Sequence, residues 1–177
     1  TKNSFENVLA PVTVNINNVH FLNNTGPGGG MGCNKAQIYG NTLITITNSV
    51  FKDNFSGGGG GAITTGTGGG TGCRWVVDSS LFENNTAGSF GGGAITQASN
   101  NDAGLAIINS TFIDNRSSSN GAALRVNRFE PNNSIVNSTF INNFSGGEGG
   151  STIFFDGWAG LVENVTIVNN FCDCIGS

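Results

Sequence analysis

Residues 109–115 read NSTFIDN, and close variants return as NSVFKDN at 48–54, SSLFENN at 79–85 and NSTFINN at 137–143. An enzyme site needs writing only once, so a phrase written this often is architecture. Anchoring on its Phe gives Phe21, Phe51, Phe82, Phe112 and Phe140, with Ile167 in sixth place, at steps of 30, 31, 30, 28 and 27 residues. That period lies in the solenoid range. Three residues after each anchor stands an asparagine without exception: Asn24, Asn54, Asn85, Asn115, Asn143 and Asn170. Two after it stands Asn23, Asp53, Asn84, Asp114, Asn142 or Asn169, and five before it a β-branched Ile16, Ile46, Val77, Ile107, Ile135 or Val162.

Within a coil the texture is that of strands. NTLITITNSVF is β-branched and Thr-rich, and the Asn or Ser three before the anchor interrupts the alternation as a bend between two short strands would. Glycine runs follow, and Ile63, Ile95, Leu124 and Ile153 after them read as inward residues of another strand. No segment offers an amphipathic helix of even three turns. Coils with two or three short strands and no helix predict an all-β parallel β-helix of about six coils, whose five steps at about 4.8 Å make a stem of about 24 Å. Stacking sets like side chains above one another: Phe on Phe, and Asn on Asn with each amide donating one way and accepting the other. Asn also suits the left-handed backbone of a tight corner. The chain reads as a single domain, 1–177, with 1–13 as an N-terminal cap or coupling segment, coils over 14–171 and a tail at 172–177.

Composition excludes several classes. Charged residues are 10% and the net charge is −4, while thirteen Phe recur at fixed places, which argues against disorder. Seven Lys and Arg against eleven Asp and Glu leave no phosphate-neutralising patch for nucleic acid. No apolar run approaches the length of a membrane span. A start at Thr1, without Met or a basic-then-apolar leader, is read as that of a processed or excised piece. Cys33, Cys73, Cys172 and Cys174 are candidates for disulfides and an oxidising compartment. The shared phrases GGGMGC and GGGTGC favour pairing Cys33 with Cys73, with free or intermolecular thiols as alternatives to a strained Cys172–Cys174 ring.

At this point the residues resemble the repeats of the polymorphic outer membrane proteins, marked by paired GGAI and FxxN motifs. The first appears as Gly60-Gly61-Ala62-Ile63 and Gly92-Gly93-Ala94-Ile95, the second at Phe21 to Asn24, Phe51 to Asn54, Phe82 to Asn85, Phe112 to Asn115 and Phe140 to Asn143. Later coils soften GGAI to GAAL and GSTI, and no outer-membrane barrel segment follows. The resemblance implies a right-handed parallel β-helix and a surface-exposed, often adhesive role.

Chemistry is sparse by comparison. Asp53 and Asp114 share a column, yet Asn replaces the acid in the other coils, as in a turn that caps its own backbone rather than an acid–base pair. One histidine, His20, and one Cys-x-Cys do not complete a zinc set. No cofactor is expected. Of nine Asn-x-Ser/Thr sequons, those at Asn54, Asn115 and Asn143 fall in the stacked column, whereas Asn23, Asn84 and Asn132 are the candidate glycan carriers. The expectation is a non-enzymatic extracellular or cell-surface protein, adhesin-like or stalk-forming. The alternative is a fibre subunit stacking on identical neighbours through its ends, and a lesser one is a polysaccharide-acting enzyme. Its partners would be copies of itself, or a host-cell or surface receptor, with attached glycans.

Overall fold

The computed structural model describes residues 12–26, 31–33, 42–65, 74–97, 104–127, 133–147, 150–157 and 160–173, the side chains of 31–33 and 127 excepted. Residues 1–11, Cys73, Asn132 and Cys174 lie outside this set. The described chain is all strand, bend and turn, wound as a parallel β-solenoid with four faces. In the second turn these are face A, Leu43–Thr47; face B, Val50–Lys52; face C, Phe55–Ser56; and face D, Ile63–Thr65. Faces A and B carry six strands each, faces C and D five. Four turns therefore have all four faces. The first has only a bridge from Thr25 to Phe55 on face C, and the sixth, from Gly160 to Cys172, has no face D strand among the described residues. The expected six coils are thus four complete turns between two partial ones.

Every pairing is parallel and joins equivalent positions of successive repeats. Ile16, Ile46, Val77, Ile107, Ile135 and Val162 stand opposite one another on face A. The anchors Phe21, Phe51, Phe82, Phe112, Phe140 and Ile167 do so on face B. Face D aligns Ile63, Ile95, Leu124 and Ile153 as expected. Two or three strands per turn was an undercount. The face C strand is only two residues long and follows the invariant Asn directly, too short to show a period of its own.

The core is built from these columns. The Phe rings lie 4.6 to 4.8 Å apart between centroids and within 3 to 9° of parallel. Near-parallel rings at this centroid separation fall within the range a stacked aromatic pair favours, and the strand spacing sets the step between them. Phe51, Phe82, Phe112 and Phe140 are fully buried, each burial stabilising by about 1.5–3 kcal/mol.

Beside it runs the asparagine ladder. Asn85 Oδ1 accepts from the Asn54 backbone N–H at 3.2 Å and from Asn54 Nδ2 at 2.9 Å. Its own Nδ2 donates back to the Phe51 carbonyl at 2.9 Å and forward to Asn115 Oδ1 at 3.0 Å. Asn115 and Asn143 repeat the pattern, so each amide has two donations and two acceptances satisfied in a dry interior. Aspartate lacks the donors, and the extra methylene of glutamine would carry its amide past these positions in a closed interior, which explains why the column admits no substitute.

The left-handed backbone falls elsewhere than expected. The invariant Asn column is not left-handed. Positive φ occurs two residues after the anchor, at Asn23, Asp53, Asn84, Asp114, Asn142 and Asn169, and three before it, at Asn18, Asn48, Ser79, Asn109, Asn137 and Asn164, with values of 48 to 57°. These are the two bends on either side of face B, and Asn, Asp and Ser occupy them because short polar side chains tolerate that conformation best. The GGAI motif resolves in the same terms. Gly92 has φ +65°, and a Cβ on Gly93 would overlap the carbonyl oxygen of Ala122 on the next turn.

Two stability measurements separate these roles. Asn115→Ala orphans the Asn85 donors and the Phe82 carbonyl, and at about 1–3 kcal/mol per buried unpaired group should cost at least about 3 kcal/mol in urea unfolding. Asn142→Ala, which removes only tolerance of φ 54° at an exposed bend, should cost about 1 kcal/mol, and Asn142→Gly should recover most of it.

Candidate functional site

Inward positions are committed to packing, so chemistry that reaches a partner must stand on outward columns. At the bend between faces B and C those columns change in character from repeat to repeat. One residue after the anchor the outward series runs Leu22, Lys52, Glu83, Ile113, Ile141, Val168. Four after it, on face C, it runs Thr25, Phe55, Thr86, Arg116, Phe144, Phe171. Between them lies the left-handed Asp/Asn column, whose dihedrals turn its side chains out at the bend.

These three columns form a groove of about 430 Å³ lined by Lys52, Asp53, Glu83, Asn84, Asp114, Arg116 and Asn142. Lys52 Nζ donates to Glu83 Oε1 on the next turn at 2.7 Å. The two side chains are 42% and 33% exposed, so the pair is solvated and directs geometry more than it stabilises. The hydrogen bond to Glu83, its charge, and that of Asp53 hold the Lys52 ammonium above the ordinary lysine value of 10.5. Asn84 Nδ2 donates to Asp53 Oδ1 at 2.6 Å, and the Arg116 guanidinium sits 5.1 Å from the Phe144 ring centroid. The groove is a ladder of donors and acceptors stepping by about one strand spacing, with Lys52 on its face B side and Arg116 beside an aromatic on its face C rim. Such a surface can recognise a polar, repeating ligand.

The sequence-predicted site residues distribute as follows. All twelve ladder residues occupy their predicted columns, with the end members Phe21, Asn24, Ile167 and Asn170 less buried than the interior. Asn54, Asn115 and Asn143 are sealed inside with their amides bonded, while Asn23 and Asn84 are exposed at the groove bend. Asn109, Asn137 and Asn164 are exposed at the opposite bend, in an amide ladder of 3.1 to 3.3 Å. Cys172 is disulfide-bonded; Cys73, Cys174 and the Cys33 side chain fall outside the described residues, and with them the Cys33–Cys73 pairing. His20 is exposed on the first turn. Asp53 and Asp114 lie two turns apart with the Asn84 amide between them. Among the described residues, no three His, Cys, Asp or Glu side chains gather as metal ligands, and no helix is long and apolar enough to cross a membrane.

No family model, curated protein or solved structure matches this chain. The groove must therefore be read from its own residues. Sequence reasoning passed over Lys52 and Glu83, although a signal was present: opposite charges one period apart in an otherwise apolar column.

The Lys52 environment is directly measurable. In a side-chain NMR titration Lys52 should deprotonate above the ordinary lysine value of 10.5, and Glu83→Gln should return it toward that value. Because the folded value is raised, the contribution of this pair to stability is present below the ordinary lysine pKa and is lost as pH climbs through the folded one. The same substitution should flatten that alkaline loss.

Proposed function

We propose that this chain is a non-enzymatic, extracellular or cell-surface rod, adhesin-like in that its stiff core presents the outward groove to a surface partner. The observation that carries the reading is the contrast between columns. Interior positions repeat the same residue turn after turn, whereas Lys52, Glu83 and Arg116 break otherwise apolar or Thr columns and converge with Asp53 and Asp114 on one bend. Charges that contribute little to folding are where selection for a partner would leave its mark. The likeness to GGAI and FxxN repeats supports a cell-surface setting, and the cysteines support an oxidising one. The Asn84 amide holds Asp53 and Lys52 holds Glu83 in ordinary hydrogen-bonding roles, which favours recognition over the polysaccharide-cleaving alternative.

The test is a binding screen of the purified chain against intact cells and extracellular polysaccharides, read by biolayer interferometry beside the double variant Lys52→Glu with Arg116→Glu. The reading expects at least a tenfold loss of affinity in the variant at unchanged circular dichroism, with no reducing ends released from any polysaccharide bound. Equal binding by both forms would remove the groove as the recognition surface, and released product would replace the rod reading with an enzymatic one.

A further inference from the structure

The groove between faces B and C is half committed and half free. In its earlier turns the polar groups satisfy one another: Lys52 donates to Glu83 at 2.7 Å and Asn84 to Asp53 at 2.6 Å. In the next two turns Asp114, Arg116 and Asn142 are exposed. Among the described residues the Asp114 carboxylate and the Asn142 amide have no hydrogen-bond or ion-pair partner, and the Arg116 guanidinium has only the Phe144 ring, 5.1 Å away. Asp114 and Arg116 stand two residues apart on one turn with opposite charges, yet they do not pair with each other.

Charge and shape define what this free half accepts. The groove sets Lys52 and Arg116 against Asp53, Glu83 and Asp114. A ligand of either charge that gains at one of the two free ions loses at the other, so neither a polyanion nor a polycation complements the groove. A hydroxyl group is both donor and acceptor. Neighbouring hydroxyls of one molecule can donate to Asp114 and accept from Arg116, and the Asn142 amide offers both functions again one turn on. The face C rim adds an apolar component. Phe55 is 47% exposed, in the outward column that continues through Thr86 to Arg116 and Phe144. Phe144 holds the guanidinium, whereas Phe55 offers an open ring. A pyranose has the matching build, with hydroxyls around its edge and a face of C–H groups that can lie on an aromatic ring. The Asp and Asn column steps along the rod by about 4.8 Å per turn, so a ligand that follows it must be straight and must repeat its polar groups.

We propose that the groove holds an uncharged, extended, β-linked polysaccharide chain lying along the solenoid axis, its hydroxyls bonded to Asp114, Arg116 and Asn142 and one ring face against Phe55. The proposal rests on the groove being the recognition surface and names the chemical class of its ligand. Because Phe55 and Asn142 are three turns apart, about 14 Å, a chain of several sugars is needed to reach both.

The experiment is isothermal titration calorimetry of the whole chain with β-1,4-linked hexasaccharides of glucose, mannose and xylose, and with polygalacturonate as the acidic comparison. At least one neutral hexasaccharide should bind, at least tenfold more tightly than its disaccharide, and with less than about a twofold change between low and high salt. Phe55→Thr and Arg116→Thr put into the column the residue that already stands at Thr25 and Thr86, so the strand is kept, and each should weaken binding at least fivefold. Circular dichroism checks the fold of both, and either one alone suffices. Neutral binding that both variants leave unchanged overturns the proposal. So does binding of polygalacturonate alone, or of cells alone, that is lost in the Lys52→Glu with Arg116→Glu double variant; the groove then stands as the recognition surface and only the ligand class falls. Cell binding indifferent to that double variant, with no neutral chain bound, overturns both readings together.

Discussion

Everything in this molecule depends on one constraint: successive turns stand one strand spacing apart, and whatever side chain a turn places inside must sit on its counterpart above and below. That distance suits an aromatic ring lying flat on another ring, and it suits a primary amide that accepts on one side and donates on the other. The Phe and Asn columns are two solutions to the same geometric condition. They stabilise differently. The rings supply buried apolar area, while the amides supply little net energy but a heavy penalty for any replacement, because each one satisfies backbone and side-chain groups of two neighbouring turns. The first sets how stable the rod is, and the second sets its register.

The bends on either side of face B obey a separate condition. A chain that turns this sharply without proline needs a residue at positive φ, and the repeat supplies Asn, Asp or Ser twice per turn. Because those residues point out, they double as the surface chemistry: the Asp/Asn column that makes the bend also lines the groove. A structural requirement thereby lays down a polar ladder along the whole rod, on which a few charged neighbours can write specificity.

By itself the sequence determined the repeat, its six-fold occurrence, the strand class and the membership of the Phe, Asn and β-branched columns, because like-on-like stacking imprints a fixed period on residues such as Phe82 and Asn85 that no helix or disordered segment would keep. It also marked both bends as special, through the Asn or Ser before each anchor and the Asp or Asn after it. What it could not distinguish is which asparagine serves which purpose: Asn84 and Asn85 are adjacent and identical, yet one is an exposed left-handed bend and the other a buried ladder rung. Only the tertiary structure decided that, together with the two-residue face C strand, the direction in which each ladder donates and the meeting of Lys52 with Glu83. The physical reason is common to all four. A dihedral angle, a donor's direction and a contact across 31 residues depend on how one turn lies against the next, and the order of residues along the chain carries the period of that stacking without its geometry.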